Sequence, residues 1–250
     1  MKKSVLSLVM AAAIVATIGM TSIEAEASIY APDQEHEFFL LKEQEVEDAD
    51  YSILFVGNSI TMHPACDYWW GYWGMAASKP EYDYVHRVVA ELKNTDKTVD
   101  YDVISFSLWE RDNTRQIAIS KLDKVLVKDY DLVIVQVGDN VHHVAHYKSD
   151  YETLVGYFKD KFPESQMLLM GDFWSRPGHD AIKKTVASEQ NCPYIDLSDI
   201  RDKAKYRSYL GAEVYGEDWN IHKIDFPPVT AHPNDLAYEV ITERILEHIE

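Results

Sequence analysis

The chain has 250 residues, 42 of them acidic and 24 basic, giving a formal charge of −18. A chain this negative gains nothing from counterion release on DNA or RNA, and anionic membranes repel it, so both are poor candidates as partners. The length suits one domain of ordinary size, large enough to bury a core without disulfide staples.

Residues 1–27 read as a secretory signal peptide. Lys2 and Lys3 form a basic start, residues 5–20 are almost unbroken apolar, and Ala25-Glu26-Ala27 fits a small-x-small cleavage site. Removing this segment takes away two lysines and two glutamates, so the charge stays at −18. The expectation is an exported protein, secreted or periplasmic. No membrane insertion is expected after cleavage, because no later apolar run reaches the roughly 18 residues that a spanning helix needs. Residues 28–50 are acidic and loosely patterned, and read as a solvated lead-in to a single domain over 51–250.

Within that domain strands and helices alternate. Residues 52–56 are a short apolar run ending at Gly57, as expected of a buried parallel strand. Tyr82, Val85, Val88, Val89 and Leu92 share one face of a helix over 82–92. Residues 102–108 read as a second strand, and Asn113 can cap a helix carrying Ala118, Leu122 and Val125. Residues 132–137 form the strongest strand pattern and stop at Gly138. Tyr151, Leu154, Val155, Phe158 and Phe162 mark an amphipathic helix. A fourth strand over 167–171, a helix over 179–189 and a fifth strand over 194–197 follow. The last helix starts after Pro233 with Asn234 as its cap, and turns Ala237, Val240, Ile241, Ile245 and Ile249 inward. This order implies an α/β fold of about five parallel strands with helices on both faces. Cys66 then follows the first strand and Cys192 precedes the last, at opposite ends of the sheet, which favours two free thiols.

Ligands of such sheets bind beyond the carboxyl ends of the strands, so the residues there carry the chemistry. Gly57-Asn58-Ser59-Ile60-Thr61 follows the first strand. A serine held in such a turn can act as a nucleophile if a base lies within hydrogen-bond reach, or it can simply cap the next element. Gly138-Asp139-Asn140 follows the third strand, where an amide can donate to a developing oxyanion or merely complete a turn. His232-Pro233-Asn234-Asp235 precedes the last helix, with the proline and the helix start fixing the histidine.

The ordered set G-N-S-I-T, G-D-N and H-P-N-D resembles the GDSL/SGNH hydrolase family over roughly residues 51–250. The resemblance implies a flavodoxin-like three-layer α/β sandwich and a serine esterase, lipase or carbohydrate deacetylase. It implies Ser59 as nucleophile, His232 as general base, and Asn140 with the Ser59 backbone N–H as oxyanion donors. Two positions depart from the family pattern. An aspartate is expected three residues before the histidine, and Val229 stands there; a backbone carbonyl, or Glu110, Asp225 or Asp235, is left to orient His232. A glycine is expected after the second strand, where the chain reads Ser105-Phe106-Ser107; Gly74 or the Ser107 N–H could substitute. A carbonyl or carboxylate beside the far nitrogen of His232 favours an enzyme, and an apolar pocket there favours a glycan-binding module on the same fold. An acyltransferase using the same nucleophile is the third reading.

The aromatic run over 68–75 reads as a loop near this cleft, with Trp70 and Trp73 as candidate sugar platforms or as local core. It points to a glycan ester, or another small-molecule ester, with a short acyl group such as O-acetyl as substrate. His142 and His146 have helical metal-ligand spacing, but no H-E-x-x-H accompanies them, and loop histidines are the simpler reading. Neither a P-loop nor a G-x-G-x-x-G follows a strand, so no cofactor is expected. The acidic balance argues against an anionic polymer as substrate.

Overall fold

The computed structural model describes residues 28–30, 39–44, 46, 48–95, 97–115 and 119–249. The segment read as a signal peptide lies outside the described residues. The central sheet has seven strands: β1 (Ser28–Tyr30), β2 (Phe39–Gln44), β3 (Tyr51–Gly57), β4 (Val99–Ser105), β5 (Leu132–Gln136), β6 (Gln166–Met170) and β7 (Tyr194–Ile195). Their spatial order is β1-β2-β4-β3-β5-β6-β7, with β4 to β7 and β3 all parallel. The five parallel strands thus lie in the doubly wound order 2-1-3-4-5. The chain crosses from β3 to β4 on one side and then from β4 back past β3 to β5 on the other, so the carboxyl ends of β3 and β5 form the switch point. Gly57 pairs with Gln136 there.

Alternation of side chains decides the two cores, even though the strands are apolar throughout. On one face, Ile53, Phe55, Leu132, Ile134, Leu168 and Met170 pack against α1 (Tyr84–Lys93) and α5 (Asp235–Leu246). On the other, Leu54, Val56, Val133, Val135, Met167 and Leu169 pack against α3 (Tyr147–Lys161) and α4 (His179–Glu189). The Asn234 side chain accepts from the Ala237 N–H at 3.1 Å and so caps α5 as expected.

Several elements differ from the reading of the sequence. Residues 28–30 and 39–44 are not merely a solvated lead-in: β1 and β2 extend the sheet antiparallel on the β4 edge. The second strand ends at Ser105, because Phe106 turns the chain into the short helix α2 (Ser107–Arg111). The helix expected after Asn113 is described only over Ile119–Lys124, as a 3-10 segment that buries Leu122. β7 is two residues long, and a small hairpin of β8 (Glu213–Tyr215) and β9 (Ile221–Lys223) stands apart from the main sheet. Cys66 and Cys192 are free thiols. No helix among the described residues is long and apolar enough to cross a membrane.

Candidate active site

The turn after β3 is built by its own side chains. The Asn58 side-chain oxygen accepts from the Ile60 N–H at 2.9 Å, and the Asn58 carbonyl accepts from the N–H groups of Thr61 and Met62, both at 2.9 Å. Residue 57 must be glycine, since a Cβ there would lie 1.7 Å from Thr61 Oγ1. The turn leaves Ser59 at the floor of a cleft of about 390 Å³.

Ser59 Oγ lies 2.8 Å from His232 Nε2. The other ring nitrogen, Nδ1, is 3.2 Å from both the Pro228 and the Val229 carbonyl oxygens. Carbonyls only accept, so Nδ1 carries the proton and Nε2 presents its lone pair to the serine. Both carbonyls belong to the 3-10 turn Pro227–Ala231, which also carries the His232 main chain. Trp174 stands edge-on to the imidazole, with centroids 5.0 Å apart, and its Nε1 donates to the Ala231 carbonyl at 2.8 Å. Burial, together with nearby His63, pulls the His232 pKa from 6.5 down to about 4, so the ring is neutral at neutral pH.

None of the three carboxylates considered for orienting His232 does so. Asp235 accepts from the N–H and Oγ of Ser78, at 2.8 and 2.6 Å, and Asp225 is exposed. Glu110 is buried beneath the opposite wall. Its carboxylate accepts from Asn58 Nδ2 at 3.0 Å, the Gly138 N–H at 2.5 Å and Asn140 Nδ2 at 2.6 Å. Burial raises its pKa, and the bonds from Asn140, Asn58 and Gly138 oppose the rise. Glu110 therefore fixes Asn140, which lines the cleft with Ser59 and His232.

A second layer of buried charge holds the Gly138-Asp139-Asn140 turn. Lys183, fully buried, donates to the Val137 carbonyl at 2.6 Å and to Asp172 Oδ1 at 2.7 Å, while His179 Nδ1 lies 2.8 Å from Asp172 Oδ2. Burial alone would lower the Lys183 pKa; Asp172 more than offsets it, and the lysine is held above its ordinary value. Asp139 accepts from Gln136 Nε2 at 2.7 Å and from the Trp174 N–H at 2.8 Å. Its burial and the negative Asp172 push its pKa up to about 8, against the pull of Lys183. Gly138 has φ +142°, and a Cβ there would fall 2.4 Å from Asp172 Oδ1. The backbone can approach Asp172 this closely only at glycine.

Ser59, Asn140 and His232 are thus brought to one cleft; three other residues named from the sequence are not. The Gly74 N–H is spent on Asp83 Oδ2 at 2.8 Å, so it is no oxyanion donor. Trp73 is core, edge-on to Trp69 with centroids 5.7 Å apart. Trp70 stacks on His222 of the β8–β9 hairpin, with centroids 4.5 Å apart, and does not line the cleft. From the same run Tyr68 and Met75 do line it, as do Trp174, Arg176, Phe226 and Arg111 from elsewhere. Trp174 and Arg176 follow β6, so the strand-end rule could have found them. His142 and His146 sit exposed in a loop rather than on a helix, and no group of metal-binding side chains occurs among the described residues.

No protein-family model matches the sequence, and no curated protein does. Solved structures do match. A two-domain esterase active on acetylated mannans superposes with TM-score 0.51 at 19% identity, over 79% of this chain and 47% of that one. An active-site mutant of a family two carbohydrate esterase from Clostridium thermocellum matches with TM-score 0.50 at 14% identity, over 82% of this chain and 64% of that one. The psychrotrophic esterase EstA from Pseudoalteromonas sp. matches with TM-score 0.50 at 14% identity, over 79% of this chain and 96% of that one. With its five parallel strands in this order and helices on both faces, the chain has the three-layer α/β fold of the GDSL/SGNH hydrolases.

Proposed function

We propose that this protein is an exported serine esterase that removes a short acyl group, such as acetyl, from a carbohydrate. The observation that carries the reading is the 2.8 Å contact between Ser59 Oγ and a histidine whose far nitrogen is held by two carbonyls. Those carbonyls supply the correct tautomer without a carboxylate and favour catalysis over binding alone. Ser59 Oγ attacks the ester carbonyl while His232 Nε2 takes its proton. The tetrahedral oxyanion accepts from the second hydrogen of Asn140 Nδ2 and from the Ser59 N–H, which has no partner among the described residues. Collapse expels the sugar hydroxyl with the proton from His232. Water then repeats the sequence on the acyl-enzyme and regenerates Ser59. Two of the similar structures are carbohydrate esterases by description, one of them active on acetylated mannans, which supports a glycan substrate. Tyr68, Trp174 and Phe226 give the cleft aromatic faces for a sugar ring, in place of Trp70 and Trp73.

Incubation with ethyl p-nitrophenyl phosphonate tests the reading. One phosphonyl group is expected on Ser59 by peptide mass spectrometry, with acetate release from acetylated oligosaccharides abolished in step. Modification of another residue with activity lost, or no modification while ester cleavage continues, would overturn it.

The histidine predicts an unusual pH profile. A general base works only unprotonated, so activity is retained above its pKa and lost as the pH falls through it. The acid limb of kcat/KM for p-nitrophenyl acetate is expected near pH 4 rather than near 6.5. A limb near 6.5 would show that the cleft hydrates His232 far more than its burial implies.

A further inference from the structure

The charge of the cleft is opposite to the charge of the molecule. The chain as a whole carries −18, yet none of the residues lining the cleft is acidic, and two are arginines, Arg111 and Arg176. His63, also in the lining, is held below its ordinary pKa by burial. Arg111 ends α2, one residue after Glu110, whose carboxylate holds Asn140. Arg176 donates from Nε to the carbonyl of Asp139, the residue before Asn140, at 3.1 Å. The Arg176 guanidinium is therefore tethered to the Asn140 side of the cleft, while the charge of Arg111 reaches His63 and Tyr68. Neither has a carboxylate partner among the described residues, although most other arginines of the fold do: Arg115 bonds Asp150 at 2.7 Å and Arg244 bonds Asp199 at 2.7 and 2.8 Å. The acids beside them in sequence, and beside the lining residues Tyr68 and Phe226, are engaged elsewhere or lie outside the lining: Glu110 holds Asn58, Gly138 and Asn140, Asp172 holds Lys183 and His179, and Asp180 bonds Arg201. Asp112 turns to the N–H and Oγ1 of Thr114, at 3.0 and 2.9 Å, while Asp67 and Asp225 are exposed outside the lining.

Arginine presents a planar fork of donors that matches a carboxylate, and two unpaired forks at one site in an acid-rich protein select against neutral ligands. Ser59 and His232 are buried at the floor, so the acyl group enters there; Arg111 is exposed and Arg176 half-buried, so they meet the part of the substrate that projects outward. Resting on the esterase reading above, we propose that Arg111 and Arg176 bind a carboxylate on the sugar, and that the preferred substrates are O-acylated uronates or glycans containing them. The overall charge then does not exclude an anionic substrate. It makes the cleft a favourable place for it on an otherwise acid-rich molecule, with a salt dependence that neutral esters lack.

Three esters decide the proposal: peracetylated methyl glucuronide, peracetylated methyl glucoside, and the hemisuccinyl ester of methyl glucoside. The glucuronide is expected to exceed the glucoside in kcat/KM by about tenfold or more at low salt, and the ratio should fall toward one in R111Q/R176Q and in high salt. A wild-type ratio of one or less, with p-nitrophenyl acetate still cleaved, overturns the proposal and leaves the esterase reading standing. A preference for the hemisuccinyl ester over the glucuronide also overturns it, by placing the anion on the acyl side. Should no ester be cleaved, the esterase reading fails on its own. Calorimetric binding of unacylated methyl glucuronide against methyl glucoside then still decides the arginine site: preferential binding that R111Q/R176Q loses supports it, and equal binding overturns it.

Discussion

Ser59→Ala is expected to lower kcat/KM for p-nitrophenyl acetate at least about 10⁴-fold, leaving only what the oxyanion donors and binding contribute. Among the described residues the side-chain partner of the serine hydroxyl is His232 Nε2 at 2.8 Å, so little else changes when the hydroxyl is removed. His232→Ala should cost nearly as much, and the double variant hardly more, because the two groups act as one unit. Steady-state kinetics on the three variants, with Tm measured alongside, makes the comparison. A loss of less than about tenfold in Ser59→Ala, or additive losses in the double variant, would point to a different nucleophile.

The second large effect falls on stability. In Lys183→Met the carboxylate of Asp172 keeps His179 but loses its 2.7 Å bond to the lysine, in a site sealed from water. Breaking one side of a buried pair typically costs about 3–5 kcal/mol. For a domain of this size that corresponds to a Tm drop of roughly 6–20 °C. The pH dependence separates an orphaned charge from simple loss of packing. In the wild type, burial would raise the Asp172 pKa, but Lys183 and His179 hold it below 3.8; the pairing therefore stabilises above that value and is lost as pH falls through the lower folded one. In the variant the buried acid, left with His179 but without its lysine, is expected to have a raised pKa, so lowering the pH from 7 toward 5 should narrow the gap to the wild type. Adding Asp172→Leu should recover part of the loss. A gap that is constant with pH and unrelieved by the second change would mean that Lys183 contributes only its volume.

How legible was this in the sequence? Strands β3, β5 and β6 were plain, because strands buried on both faces are continuous apolar runs that stop at glycine or polar residues. The strand-end rule then led to Ser59 and to the turn carrying Asn140. β1 is missed because it is only three residues long, and β2 because Lys42 and Glu43 break its apolar pattern, as is usual at an antiparallel edge. The second strand was read too far because Phe106 and Leu108 continue its apolar pattern into α2. Gly74 and Glu110 were misassigned for one physical reason. Their partners, Asp83 for the one, and Asn58, Gly138 and Asn140 for the other, are fixed by tertiary contacts rather than by local pattern. The aromatic run could be seen as a loop, but residue type does not say which rings face the core, and Trp73 faces it while Tyr68 does not.

The group that orients the histidine has a consequence for how this site tolerates mutation. Every residue has a carbonyl oxygen, so substitution at position 228 or 229 cannot delete the atoms that hold His232 Nδ1, provided the 3-10 turn persists. An alanine scan would find a nucleophile and a base but no third member, and a search for a lost aspartate would judge the site degenerate. The turn itself is the vulnerable element: what could disorient His232 is a shift of the Pro227–Ala231 backbone, which Trp174 braces through the Ala231 carbonyl.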